Sequence, residues 1–101
     1  MIKVLINYEE KNFKSLEVKG HANSAPHGED LVCAAVSAIV TGGANNLENK
    51  KNFEIKLQEG NALIKAIDSV SSHDEIVMET IICGLKTIEE SYPRFIQIKN
   101  L

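Results

Sequence analysis

The sequence predicts an α/β (α+β) sandwich, a mixed sheet carrying two helices, with elements in the order ββαββαβ. Three observations predict it. Two pairs of short segments alternate apolar and polar residues with period two, as strands do when one face is buried. Each pair is followed by a longer segment with helical composition or spacing. A last short apolar run follows Pro93. Strands and helices interleaved in this way pack as layers around one core.

Ile2, Val4 and Ile6 alternate with Lys3, Leu5 and Asn7, which predicts the first strand. Asn7 to Asn12 is polar and reads as a loose connection. Phe13 to Lys19 alternates again, so the two runs form a hairpin. Gly20 to Gly28 is small and polar, with Pro26 blocking a helix, and reads as a mobile loop. Asp30 opens the first helix. Ala34, Ala35 and Ala38 favour helix, and the apolar run from Leu31 to Val40 is longer than a typical strand. Its near-continuous apolar content predicts a central, buried helix. Gly42-Gly43 marks its end or a bend. Phe53 to Leu57 and Ala62 to Ile67 alternate on either side of Glu59-Gly60-Asn61, a second hairpin with a tight turn.

Ser72 with Glu75 reads as a capping box opening the second helix. Val77, Ile81, Leu85, Ile88 and Tyr92 follow at helical spacing, and Pro93 stops it. Cys83 lies among Ile81, Ile82 and Leu85 and reads as core. His73, next to the cap, reads as solvated. Phe95, Ile96 and Ile98 form the closing strand. With 101 residues and no composition shift, the chain is expected to be one domain over 1–101.

Composition narrows the function classes. Hydrophobic residues make up 44% and charged residues 25%, which is ordinary for a globular chain. The formal charge is −3, the wrong sign for a nucleic-acid binder, and aromatic content of 5% without Trp offers no base-stacking platform. No apolar run reaches the ~18 residues that span a bilayer, and the N-terminus lacks the order of a secretory signal. Cys33 and Cys83 are too few for a disulfide scaffold and read as reduced and cytoplasmic. No cofactor, nucleic-acid or membrane partner is expected.

The chemistry concentrates between Gly20 and Ser37. His21 closes a strand, a small-residue loop follows, and Cys33 sits in the first turns of a helix. Nucleophilic attack needs a thiolate, while a free thiol at neutral pH is mostly protonated. A helix N-terminus favours the anion through its unpaired N–H groups. A nearby His can accept the thiol proton and later protonate a leaving amine. Asp30 stands at the N-cap, where capping is its first task and orienting the loop or His21 a second. Ser37, four residues after Cys33, shares its helix face and can donate a hydrogen bond to substrate or sulfur. Gly20, Ala22 and Gly28 frame a loop that can open to admit a peptide. His21, His27 and Cys33 do not have the spacing of a compact zinc motif and lack an evident fourth ligand, so no metal is expected. Gly42-Gly43 lacks the Lys of a phosphate-binding loop.

Gly20-His21-Ala22 followed by Gly28-x-Asp30-Leu31-Val32-Cys33-Ala34-Ala35-Val36-Ser37 resembles the signature of the ribosomal-processing cysteine protease family Prp, also known as YsxB-like proteins. The run Met78-Glu79-Thr80-Ile81-Ile82-x-Gly84-Leu85-Lys86-x-Ile88, closing with Tyr92-Pro93, is similar to that family's second helix. The resemblance implies a cytoplasmic, homodimeric protease. It implies removal of the N-terminal extension of large-subunit ribosomal protein twenty-seven, with cleavage after an aromatic residue. It implies Cys33 as nucleophile, His21 as base, and Asp30 and Ser37 as supporting residues. Leu31 departs from the family's usual Ile, and the stretch Asn23 to His27 carries Pro26 and no aromatic residue. The competing expectations are a non-enzymatic module binding a ribosomal protein and a redox-sensing thiol protein. A binding module has no need of both His21 and Cys33, and a sensor usually has a resolving Cys nearby.

Overall fold

The computed structural model describes residues 1–22 and 30–101, and all structural statements concern these. His27, Gly28 and the rest of 23–29 lie outside them. Five strands and two helices follow in the expected ββαββαβ order: β1 (Ile2–Glu9), β2 (Asn12–Lys19), α1 (Leu31–Asn45), β3 (Phe53–Gln58), β4 (Asn61–Ala66), α2 (Ser72–Ser91) and β5 (Ile96–Asn100), with a 3₁₀ turn at Lys50–Asn52. The sheet order is β3-β4-β2-β1-β5. β5 runs parallel to β1 and every other pair is antiparallel, so the sheet is mixed.

Alternation puts Ile2, Val4 and Ile6 of β1 on one face, with Leu16 and Val18 of β2, Ile64 of β4 and Ile96 of β5. That face meets Val36 and Val40 of α1 and Val77, Ile81 and Leu85 of α2 in a single core. The helices touch each other closely. A side chain at Gly43 would run into Ile81, and one at Gly84 would press on Ile39.

Four local expectations change. The first hairpin is tight, not loose. Glu10 and Lys11 occupy its turn with φ of 51° and 70°, the positive values that a two-residue type I′ connection demands. Helix α1 is not buried all round. Val32, Val36, Val40 and Ala44 form one buried stripe, while Leu31 is 76% exposed and Ala34, Ser37, Ala38 and Thr41 face outward. Among the described residues the sheet and α2 cover this helix, and they cover one side. Cys83 is exposed, not core. It follows Ile81 by two residues, which is ~200° around a helix, so it points away from the Val77, Ile81 and Leu85 stripe. The N-cap of α2 is Ser71, whose Oγ accepts from the Asp74 N–H at 3.1 Å. Glu75 reaches across to the Phe13 N–H at 3.2 Å instead of back to the cap.

Asp74 is fully buried. Its carboxylate accepts from the Glu48 N–H at 2.8 Å and the Asn49 N–H at 3.1 Å, and it contacts His73 Nδ1 at 3.0 Å. Burial alone pushes this carboxyl up. The hydrogen bonds from Glu48, His73 and Asn49, with the attraction of His73, outweigh it and hold the pKa below the ordinary value. The group thus ties the segment after α1 to the start of α2. Glu48, His73 and Asp74 could bring one ligand atom each within 4.8 Å of one another. The Asp74 oxygens are already engaged by backbone N–H groups, so the trio reads as a structural tie. Among the described residues no helix is long and apolar enough to cross a membrane.

Candidate active site

Two backbone features aim His21. The β2–β4 ladder ends at Lys19 opposite Asn61, and the Gly20 N–H then donates to the Gly60 carbonyl at 3.0 Å, one rung further. Gly20 turns the chain with φ +94°, against the Met1 carbonyl, where a side chain has no room. His21 follows directly. Its side chain is exposed, and its ring lies against the Cα of Gly60 in the β3–β4 turn.

Helix α1 positions Cys33. Asp30 is the N-cap, and its Oδ1 accepts from the Cys33 N–H at 3.0 Å. Its carbonyl accepts from the Ala34 N–H at 3.1 Å. The capping role expected for Asp30 is therefore the one the geometry displays. Cys33 sits in the first turn, half-buried, and takes part in no disulfide among the described residues. The Ala22 N–H donates to Cys33 Sγ at 3.2 Å. This bond joins the segment after His21 to the nucleophile candidate, and a donor aimed at sulfur favours its anionic form.

The sequence placed Gly20 and Ala22 in a mobile loop. The structure anchors both, Gly20 on Gly60 and Ala22 in the core with its N–H on sulfur. Gly28 and His27 lie outside the described residues.

His21, Asp30, Cys33 and Ser37 all line one cleft of about 620 Å³. One wall is the α1 row Cys33, Ser37 and Thr41, spaced at four residues. Leu57 to Ala62, the end of β3, its turn and the start of β4, also line the cleft, with apolar side chains from Ile2, Val18, Val36 and Val40. Thr41 and Gly60 were not singled out from the sequence. Thr41 was legible as Cys33 plus eight, while Gly60 comes near His21 only through strand pairing. A cleft lined by both a thiol at a helix N-terminus and an imidazole can hold an extended peptide beside a nucleophile and a base.

Cys83 is remote from this cleft. It lines a separate crevice with Tyr8 and Phe13, whereas Ile2 and Val18 border the cleft. Ile2 and Tyr8 are six residues apart on β1, roughly 20 Å at strand rise. Cys83 therefore cannot serve as a resolving thiol for Cys33 without large rearrangement, which weighs against a redox-sensor reading, as the sequence itself does.

Comparison with known proteins points to one family. A family model described as cysteine protease Prp matches residues 1–97. The chain is 42% identical to the ribosomal processing cysteine protease Prp of Mycoplasma genitalium over 99% of this chain and 96% of that one. It is 35% identical to the Bacillus subtilis protein of the same name, over 82% and 81% of the two chains. Among solved structures, it is similar to the essential ribosomal processing protease Prp from S. aureus in complex with a covalently linked product peptide. That match has a TM-score of 0.91 and 27% identity over the whole of both chains. The same S. aureus protease in complex with a substrate peptide matches with a TM-score of 0.84 and 25% identity, again over both full chains. The cleft, its helix-borne thiol and similarity along nearly the whole chain to these proteases lead to one assignment: the chain belongs to the cysteine protease Prp family.

Proposed function

We propose that this chain is a ribosomal-protein-processing endopeptidase in which Cys33 is the nucleophile and His21 the general base and acid. The observation that carries this reading is the 3.2 Å hydrogen bond from the Ala22 N–H to Cys33 Sγ, which holds the residue after His21 on the sulfur. In the first step His21 takes the thiol proton and sulfur attacks the scissile carbonyl carbon, giving a tetrahedral oxyanion. The oxyanion collapses, the C–N bond breaks, and His21 gives its proton to the leaving amine. A thioester remains on Cys33. His21 then takes a proton from water, whose oxygen attacks the thioester, and the acid product leaves as sulfur regains a proton. No metal or cofactor enters these steps.

Asp30 supports the nucleophile by fixing the first turn of α1, and Ser37 offers a hydroxyl to the peptide one turn beyond Cys33. The apolar residues Ile2, Val18, Val36 and Val40 at the cleft suit a large apolar side chain next to the cut. The substrate in this reading is the N-terminal extension of large-subunit ribosomal protein twenty-seven, cut after an aromatic residue. Its support is the naming of the relatives as ribosomal processing proteases and the peptides bound to the S. aureus protein. The enzyme would act in the cytoplasm, as a homodimer of single-domain chains. The test is single-turnover cleavage of an extension peptide followed by mass spectrometry. One cut after the aromatic residue is expected, and an intact peptide would sink the substrate assignment.

A further inference from the structure

We propose that Gly60, in the β3–β4 turn, is a positioning residue for His21. This rests on the reading of His21 as the base.

A Cβ added at Gly60 would lie 2.7 Å from His21 Nε2, 3.1 Å from Cε1 and 3.5 Å from Cδ2. The first distance is below contact, so something must move. The atoms in the way are the far end of an exposed, rotatable side chain. The sheet is held independently by the β2–β4 ladder and the Gly20 N–H to Gly60 carbonyl bond. The ring therefore gives way and the fold stays. The bare Cα of Gly60 acts as a flat stop on which the imidazole rests, in the cleft that Cys33 also lines. The strand pairing that brings Gly60 to Gly20 sets where the ring can lie before substrate arrives. Catalytic groups misplaced by about 1 Å lose on the order of 10²-fold in rate, and this is the scale of displacement a methyl would impose.

Gly60 also has φ +76°, so an ordinary substitution adds backbone strain to the clash. Asn tolerates the left-handed region better than other side chains, and Gly60→Asn is the informative change. We expect kcat for an extension peptide to fall about 10- to 100-fold, with KM changed less than about twofold. In a His21→Ala background the same substitution should cost nothing further, because the group it displaces is gone. A loss of equal size in both backgrounds, or no loss in either, overturns the proposal. NMR on the parent protein provides a second test that does not depend on Gly60→Asn folding. The His21 ring protons should show NOEs to the Gly60 Hα protons without substrate, and their absence overturns the proposal. Undiminished activity in His21→Ala alone instead sinks the reading of His21 as base, so the two failures are separable.

Discussion

The backbone N–H of Ala22 stands 3.2 Å from the sulfur of Cys33, and the Cys33 N–H is itself held at 3.0 Å by the Asp30 carboxylate. The nucleophile candidate is thus fixed twice, once through its own backbone and once through its sulfur. The second bond couples it to the strand end that carries His21. Because the first is a helix cap and the second a contact from the segment after β2, they can be tested apart.

Replacing Cys33 with Ala should abolish cleavage of an extension peptide. The fold should survive, since Ala is the best helix former and the lost volume borders a cleft. Cys83→Ala should cleave at close to the parent rate, because Cys83 is exposed on α2 beside a different crevice. Single-turnover mass spectrometry on both variants decides the matter. Retained cleavage in Cys33→Ala would remove the protease mechanism.

His21→Ala should lower kcat/KM by about 10²–10⁴-fold, the usual worth of a general base. His73→Ala should leave the rate near that of the parent at 25 °C, since His73 belongs to the start of α2 and contacts Asp74. A metal chelator should change neither rate. Equal losses in the two histidine variants, or chelator inhibition reversed by zinc, would contradict the assignment.

How much of this could be read from the chain depends on how local each feature is. Period-two alternation located four strands and a short apolar run after Pro93 the fifth, because one face of the sheet meets the helices and the other does not. The Cys33 and Asp30 relation was legible because an N-cap reaches only three residues along. The tight first turn was not, because Glu10 and Lys11 adopt positive φ without the Asn or Gly that usually announces it. Cys83 was misplaced by reading its linear neighbours instead of its angle around the helix. The one-sided burial of α1 was hidden by Ala and Val on both faces, since composition does not say how many layers will cover a helix. The contact of His21 with Gly60 depends on strand pairing between residues 39 positions apart, and no local pattern encodes it.

Asp30 separates capping from charge. If its work is to cap α1, Asp30→Asn should match the parent in melting temperature and in kcat/KM, because Asn caps as well as Asp. Asp30→Ala should cost about 1 kcal/mol, a fall of roughly 4–8 °C in a domain of this size. Cleavage should also slow, as the first turn bearing Cys33 frays. Calorimetry and steady-state kinetics on the pair provide the check. A rate collapse in Asp30→Asn at unchanged melting temperature would show that the carboxylate charge itself matters to the reaction.

Asp74 makes stability depend on pH in a predictable direction. Its carboxyl is fully buried yet held below its ordinary value, because the hydrogen bonds to the anion outweigh the burial that disfavours it. A carboxylate with a depressed folded-state pKa contributes stability that is fully present above the unfolded value, here 3.8. That contribution is lost as pH falls through the lower folded value, when the proton goes on in both states. Asp74→Asn removes the charge and turns an amide N–H₂ toward at least one of the Glu48 and Asn49 donors. A buried donor left without an acceptor costs about 1–3 kcal/mol, and more when a charged acceptor is lost. The variant should therefore melt well below the parent at pH 7, and the gap should narrow steadily below pH 3.8. Thermal unfolding of both chains from pH 7 downward measures the gap directly. A difference that stays constant across that range would mean that the Asp74 carboxyl does not titrate between the folded and unfolded states as its hydrogen bonds require.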